Sequence, residues 1–168
     1  MELKTLLTRE EQDKMDQVGI ALRKPFPVER LRWRKGQGGS GELVYITARD
    51  VMDRLDAVFG VSGWQTRYEF LGGRMICNLS VRINGDWVSK ADGADDSNIE
   101  GAKGGISDAL KRAAVSLGCG RYLYHPKAFD KNKNPAPWAT PDGYDALMAK
   151  REGKSIEEWK KEYGKFSD

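Results

Sequence analysis

Residues 97–125 read SNIEGAKGGISDALKRAAVSLGCGRYLYH, and the fold is organised around them. Ser97-x-x-Glu100 is a capping-box signature, in which the two side chains satisfy backbone N–H groups that a helix start leaves unpaired. An apolar stripe follows at Ile99, Ala102, Ile106, Leu110, Ala113 and Leu117, with the three- and four-residue spacings of a helix face. Relative to Leu110, Lys111 lies about 100° round the helix and Arg112 about 200°. The two cations therefore leave in different directions, neither into the stripe. Gly118 and Gly120 stop the helix, and Arg121, Tyr122 and Tyr124 follow at once. By spacing alone this basic face suits solvent or a polyanion, solvent being the plainer reading. Gly101, Gly104 and Gly105 near the helix start would each cost about 1 kcal/mol in a helix interior. That cost points to a close backbone approach there, by a neighbouring subunit or by nucleic acid.

Upstream, the chain predicts a helix over 8–22, capped by Thr8-x-x-Glu11, with Met15, Val18, Ile20, Ala21 and Leu22 as its apolar side, ended by Pro25 and Pro27. Val28–Trp33 and Glu42–Ile46 read as two strands of a hairpin round the loop Lys35-Gly-Gln-Gly-Gly-Ser-Gly41. That loop lacks the lysine and the following helix of a phosphate cradle, so a nucleotide site is set aside. Thr47-x-x-Asp50 opens a helix with Val51, Met52, Leu55, Val58 and Phe59 inward, closed by Gly60. Trp64–Leu71, Met75–Ile83 and Asp86–Ala91 alternate as strands, joined by Gly72-Gly73 and Asn84-Gly85. The class expected is α+β: an antiparallel sheet, made of a hairpin and a three-stranded meander, packed against a long helix.

Residues 1–128 form the predicted main domain. The polar, Pro-bearing stretch 129–154 reads as a linker, and 155–168 as a C-terminal helix capped by Ser155-x-x-Glu158.

The 168-residue chain carries a formal net charge of only +3, but the charge is unevenly spread. Residues 23–49 hold seven lysines and arginines against two acids, residues 101–133 the same, and the rest of the chain is net acidic. Two basic segments on an acidic background are what a polyanion-binding groove requires. Cys77 and Cys119 form no metal pattern and point to a reducing compartment, and the lone His125 has no partner motif. No signal peptide is expected, because the N-terminus reads as charged and helical. No apolar run nears the ~18 residues of a membrane span. Asp92, Asp95 and Asp96 could serve a metal-dependent nuclease, but acids just ahead of a helix also suit its dipole, which is the preferred reading.

Several of these segments together carry a resemblance. They are Tyr45-Ile46 with Arg49, Val58-Phe59-Gly60 with Gly63-Trp64, Lys103 with Ile106-Ser107-Asp108-Ala109-Leu110-Lys111-Arg112-Ala113, and Gly118 with Tyr122-Leu123-Tyr124. Over residues 20–127 the chain resembles the Rad52/Rad22 family of single-strand annealing proteins, which includes DdrA-type bacterial repair proteins and phage recombination relatives. The resemblance implies a β-β-β-α core with a protruding hairpin. It implies single-stranded DNA binding and ATP-independent annealing in recombination or double-strand break repair, without cofactor, metal or enzymatic step. It also implies a homo-oligomeric ring or helical filament in the cytoplasm of a bacterial or phage-infected cell, with a single-stranded DNA-binding protein or an exonuclease as further partners. Carried over by position, Lys111, Arg112 and Lys103 supply the helix cations, Tyr45 the hairpin aromatic, and Arg32 or Arg34 the first-strand cation. Lys35 and Arg121 complete the expected DNA-binding set. Where relatives place a further cation one turn past the Lys-Arg pair, this chain has Val115.

Overall fold

The computed structural model describes residues 9–39, 41–95 and 101–164. Its elements are α1 (Arg9–Arg23), β1 (Arg32–Lys35), β2 (Glu42–Tyr45), α2 (Ala48–Phe59), β3 (Trp64–Leu71), β4 (Arg74–Ile83), β5 (Asp86–Asp95), α3 (Gly101–Ser116), α4 (Pro141–Arg151) and α5 (Ile156–Tyr163). The expected α+β architecture is present. β3, β4 and β5 form an antiparallel meander, and β1 and β2 form a separate two-stranded sheet.

The meander follows from local chemistry. Alternation along β4 sends Cys77, Leu79 and Val81 to one face, where all three are buried. The Asn84-Gly85 turn adopts the positive φ values of 52° and 90° that a two-residue hairpin requires. β5 extends past the expected end at Ala91, so Asp92 and Asp95 lie in the ladder, opposite Cys77 and Arg74, rather than in a loop. Gly93 suits this extension. A Cβ there would sit 2.5 Å from the Cδ1 of Ile76, which crosses the glycine's face. Asp96 and the Ser97–Glu100 cap lie outside the described residues, as does Thr8.

α3 covers β4 and the end of β5 through a seam of small residues. Ala109, Leu110, Ala113 and Ala114 are fully buried and Gly105 is buried beside Met75. The expected stripe is therefore shifted, because Ile106 is 40% exposed and Leu117 only half-buried. Small side chains let the helix approach the strands closely, and the large apolar residue gives way to them.

α2 begins at the predicted Thr47-x-x-Asp50 start, which forms a capping box. The Thr47 hydroxyl accepts from Asp50 N–H, and Asp50 accepts from Thr47 N–H at 2.7 Å. Val51 and Leu55 are buried, but Met52 is 38% exposed rather than inward. Thr47→Ala is expected to lower stability by about 1 kcal/mol, measurable as a shifted urea midpoint with an unchanged m-value.

Two expectations are corrected. Residues 28–30 form a 3-10 turn, and the first hairpin strand starts at Arg32 instead of Val28. The stretch 129–154 is not an extended linker, since it contains α4, which starts on Thr140 as cap and Pro141 at the first helical turn. α4 and α5 pack on the last turn of α1 through Ile20, Ala149 and Trp159. Trp159 donates from Nε1 to Asp145 at 3.1 Å, Asp145 also takes the Lys24 ammonium at 2.9 Å, and Tyr144 donates its hydroxyl to Ile20 O.

Candidate nucleic-acid interface

The two basic segments face each other across a cleft of about 930 Å³. One wall is the β1–β2 hairpin. Its register pairs Arg32 with Tyr45 and Arg34 with Leu43 on one face, and Trp33 with Val44 and Lys35 with Glu42 on the other. The hairpin is braced on its Trp33 face by the chain that follows α3. Phe129 meets Trp33 edge-on at 5.3 Å, and Lys133 lies over the Trp33 ring while pairing with Glu42 at 2.8 Å.

The other wall is α3. Lys111 and Arg112 diverge as the helical turn requires. Lys111 is 24% exposed and pairs with Asp108 at 3.0 Å, whereas Arg112 turns toward β5 and meets Asp92 at 3.4 Å. Tyr45 joins the walls. The Lys111 ammonium lies 5.5 Å from its ring centre and the Arg34 guanidinium 5.8 Å. Ile46, Cys119, Gly120 and Leu123 also line the cleft, as do Tyr124 and His125.

Five of the eight expected residues line this cleft: Arg34, Lys35, Tyr45, Lys111 and Arg112. Arg32 and Arg121 are not brought into it. The Arg32 guanidinium donates to the carbonyls of Glu29 at 2.9 Å and Leu31 at 3.2 Å. Arg121 donates to those of Val115 and Ser116, both at 3.0 Å, capping the C-terminal end of α3. Both are held by backbone acceptors that a sequence pattern does not show. Lys103 belongs to the first turn of α3, and its side chain lies outside the described residues. Arg74, which the sequence reading missed, also lines the cleft. Strand register alone carries it there, opposite Asp95.

The aromatic pair after α3 divides. Tyr124 is 68% exposed at the cleft, while Tyr122 turns inward and its oxygen accepts from Phe26 N–H at 3.1 Å. Burial pushes the Tyr122 phenol up to about 12. The folded state therefore holds this proton more tightly than the unfolded chain, whose phenol titrates near 10.0. Tyr122 stabilises the fold fully below that value, and the contribution is lost as pH climbs toward about 12. Tyr122→Phe should make the alkaline fall in thermal midpoint shallower.

For a metal-dependent nuclease the clustered acids would have to converge. Among the described residues no three His, Cys, Asp or Glu groups come together in a way that could hold a metal. Asp92 is engaged by Arg112 and by Gly93 N–H. Among the described residues no helix is long and apolar enough to cross a membrane.

A family model described as Rad52/22 family double-strand break repair protein matches residues 14–76 and 75–138, a span that contains both walls of the cleft. The chain is 34% identical over 147 residues to the single-stranded DNA-binding protein DdrA of Deinococcus deserti, covering 77% of this chain and 73% of that protein. To the protein of the same name from Deinococcus radiodurans it is 31% identical over 147 residues, covering 77% and 70%.

Proposed function

The chain belongs to the Rad52/22 family of double-strand break repair proteins, and from that premise we propose that it binds single-stranded DNA in the cleft between the β1–β2 hairpin and α3. The reading continues to annealing: complementary strands are brought together without ATP, without an enzymatic step, and by a homo-oligomer, as a ring or helical filament, that joins successive clefts. The observation that carries it is the convergence of Arg34, Lys35, Lys111 and Arg112 on one cleft from two walls that share Tyr45. Cations on flexible stems hold phosphates without reading sequence, which leaves base edges free to pair. The similar proteins are named for single-stranded DNA binding, which supports the same ligand here. A strand longer than one cleft needs neighbouring subunits, which is why the reading includes assembly.

Titration of labelled oligonucleotides against salt tests the binding. The five cleft cations, Arg34, Lys35, Arg74, Lys111 and Arg112, predict a log–log slope of roughly −3.5, at about 0.7 per neutralised phosphate on a single strand. Complementary oligonucleotides should anneal faster with the protein and no nucleotide present, and light scattering should report a multi-subunit particle. A slope near zero removes the binding site, and an unaccelerated annealing rate removes the annealing step.

A further inference from the structure

Two of the cleft cations already have carboxylate partners within the chain. Lys111 holds Asp108 at 3.0 Å, one helical turn back, and Arg112 holds Asp92 at 3.4 Å, on the neighbouring strand. Neither acid is placed by chance. Asp108 sits at the i−3 position that faces Lys111 on the helix surface, and Asp92 is held by the Gly93 N–H at 2.7 Å. Asp108 itself lines the cleft with the two cations.

We infer that Asp108 and Asp92 are internal competitors for the DNA backbone, which a phosphate must displace before it reaches Lys111 and Arg112. The inference rests on the reading of the cleft as a strand-binding site and adds two affinity-setting residues to it. Its physical content is a swap. Each cation exchanges a carboxylate for a phosphate, so binding gains the difference between two ion pairs rather than one whole pair. Such a site grips weakly per phosphate and lets go easily. A protein that aligns two strands by repeated trial needs both properties. The pairs are partly exposed, with side-chain exposures of 24% and 49% for Lys111 and Asp108 and 52% and 36% for Arg112 and Asp92, so water and a strand can reach them.

The test is Asp108→Asn and Asp92→Asn, singly and together, with oligonucleotide affinity, dissociation rate and thermal midpoint measured on each. Asparagine keeps the shape and, at Asp92, the oxygen that Gly93 N–H requires, and each single variant is read on its own. Each change should tighten binding by about two- to fivefold, the range expected for loss of a partly exposed ion pair, chiefly through slower dissociation. Asp86→Asn, at the far end of β5, serves as the control for net charge and should leave affinity unchanged. In a Lys111→Ala background, Asp108→Asn should gain nothing, because its partner is gone. Affinity that fails to rise in either folded single variant overturns the inference, as does an equal gain from Asp86→Asn or a gain that persists without Lys111. Wild-type protein that does not bind at all overturns the strand-binding reading along with it.

Discussion

Replacing Lys111 and Arg112 together by alanine should weaken single-stranded DNA binding about a hundredfold and flatten its salt dependence by roughly two of the five phosphate contacts. Charge-assisted bonds contribute about 1.5–3 kcal/mol each. The lower bound applies here because both cations leave a carboxylate to reach a phosphate. At about 1.4 kcal/mol per decade, two such losses give a factor of about 100. The helix itself should survive. Neither side chain belongs to the buried seam of Ala109, Leu110, Ala113 and Ala114, and alanine is the best helix former. The informative comparison is Arg32→Ala, which removes one positive charge from a residue bonded to the Glu29 and Leu31 carbonyls. It should change affinity by less than about twofold, within the range of a long-range screened charge. A hundredfold loss from Arg32→Ala, or none from the Lys111/Arg112 pair, would move the site elsewhere. Fluorescence anisotropy at two salt concentrations decides it.

Arg54→Ala should destabilise the fold by about 3–4 kcal/mol. Arg54 rises from α2 and is 1% exposed. Its guanidinium donates to the carbonyls of Ala21 at 3.1 Å and Lys24 at 2.7 Å, with Leu22 O at 3.5 Å, and stacks over the Phe26 ring at 4.3 Å. These carbonyls terminate α1, where a helix leaves its last acceptors unpaired and carries partial negative charge. One buried cation therefore caps one helix from another and ties α1 to α2. Truncation strands the carbonyls in the interior and leaves a cavity beside Phe26. Arg54→Lys should recover little, because an ammonium lacks the planar guanidinium that stacks on the Phe26 ring while its Nη1 serves the carbonyls. Chemical unfolding gives the measurement, and a loss below about 1 kcal/mol would mean that water takes over the caps.

Those features that depend on neighbours in the chain were legible before any coordinates. The helix starts at Thr47 and Ser155, the alternation of Cys77, Leu79 and Val81, and the Asn84-Gly85 turn are each decided within a few residues, and each is found as read. Where pairing in space decides, the reading fell short. Asp92 and Asp95 are poor strand formers that join β5 because β4 lies alongside and Gly93 clears room for Ile76. The seam of α3 does not show in a hydrophobic pattern, because glycine and alanine carry little weight there yet pack closest. α4 was hidden by composition, although Thr140 and Pro141 are an ordinary helix start. The same division runs through the cleft. Tyr45, Arg34, Lys35, Lys111 and Arg112 follow from charge, spacing and resemblance, whereas the diversion of Arg32 and Arg121 to carbonyls, and the arrival of Arg74, are facts of the folded backbone.

The brace on the Trp33 face of the hairpin bears on the order in which the protein acquires its cleft. A two-stranded ribbon is marginal by itself. Here β1 and β2 rely on Phe129 and Lys133, which are translated long after Trp33 and Glu42. Closing so long a stretch of chain is entropically costly until most of the core exists. The meander and α3 are joined by tight turns and short connections, so they are expected to condense first, with the hairpin seated last. A nascent chain released at residue 128 would carry all five cleft-lining cations and still lack Phe129 and Lys133, which hold the hairpin in place.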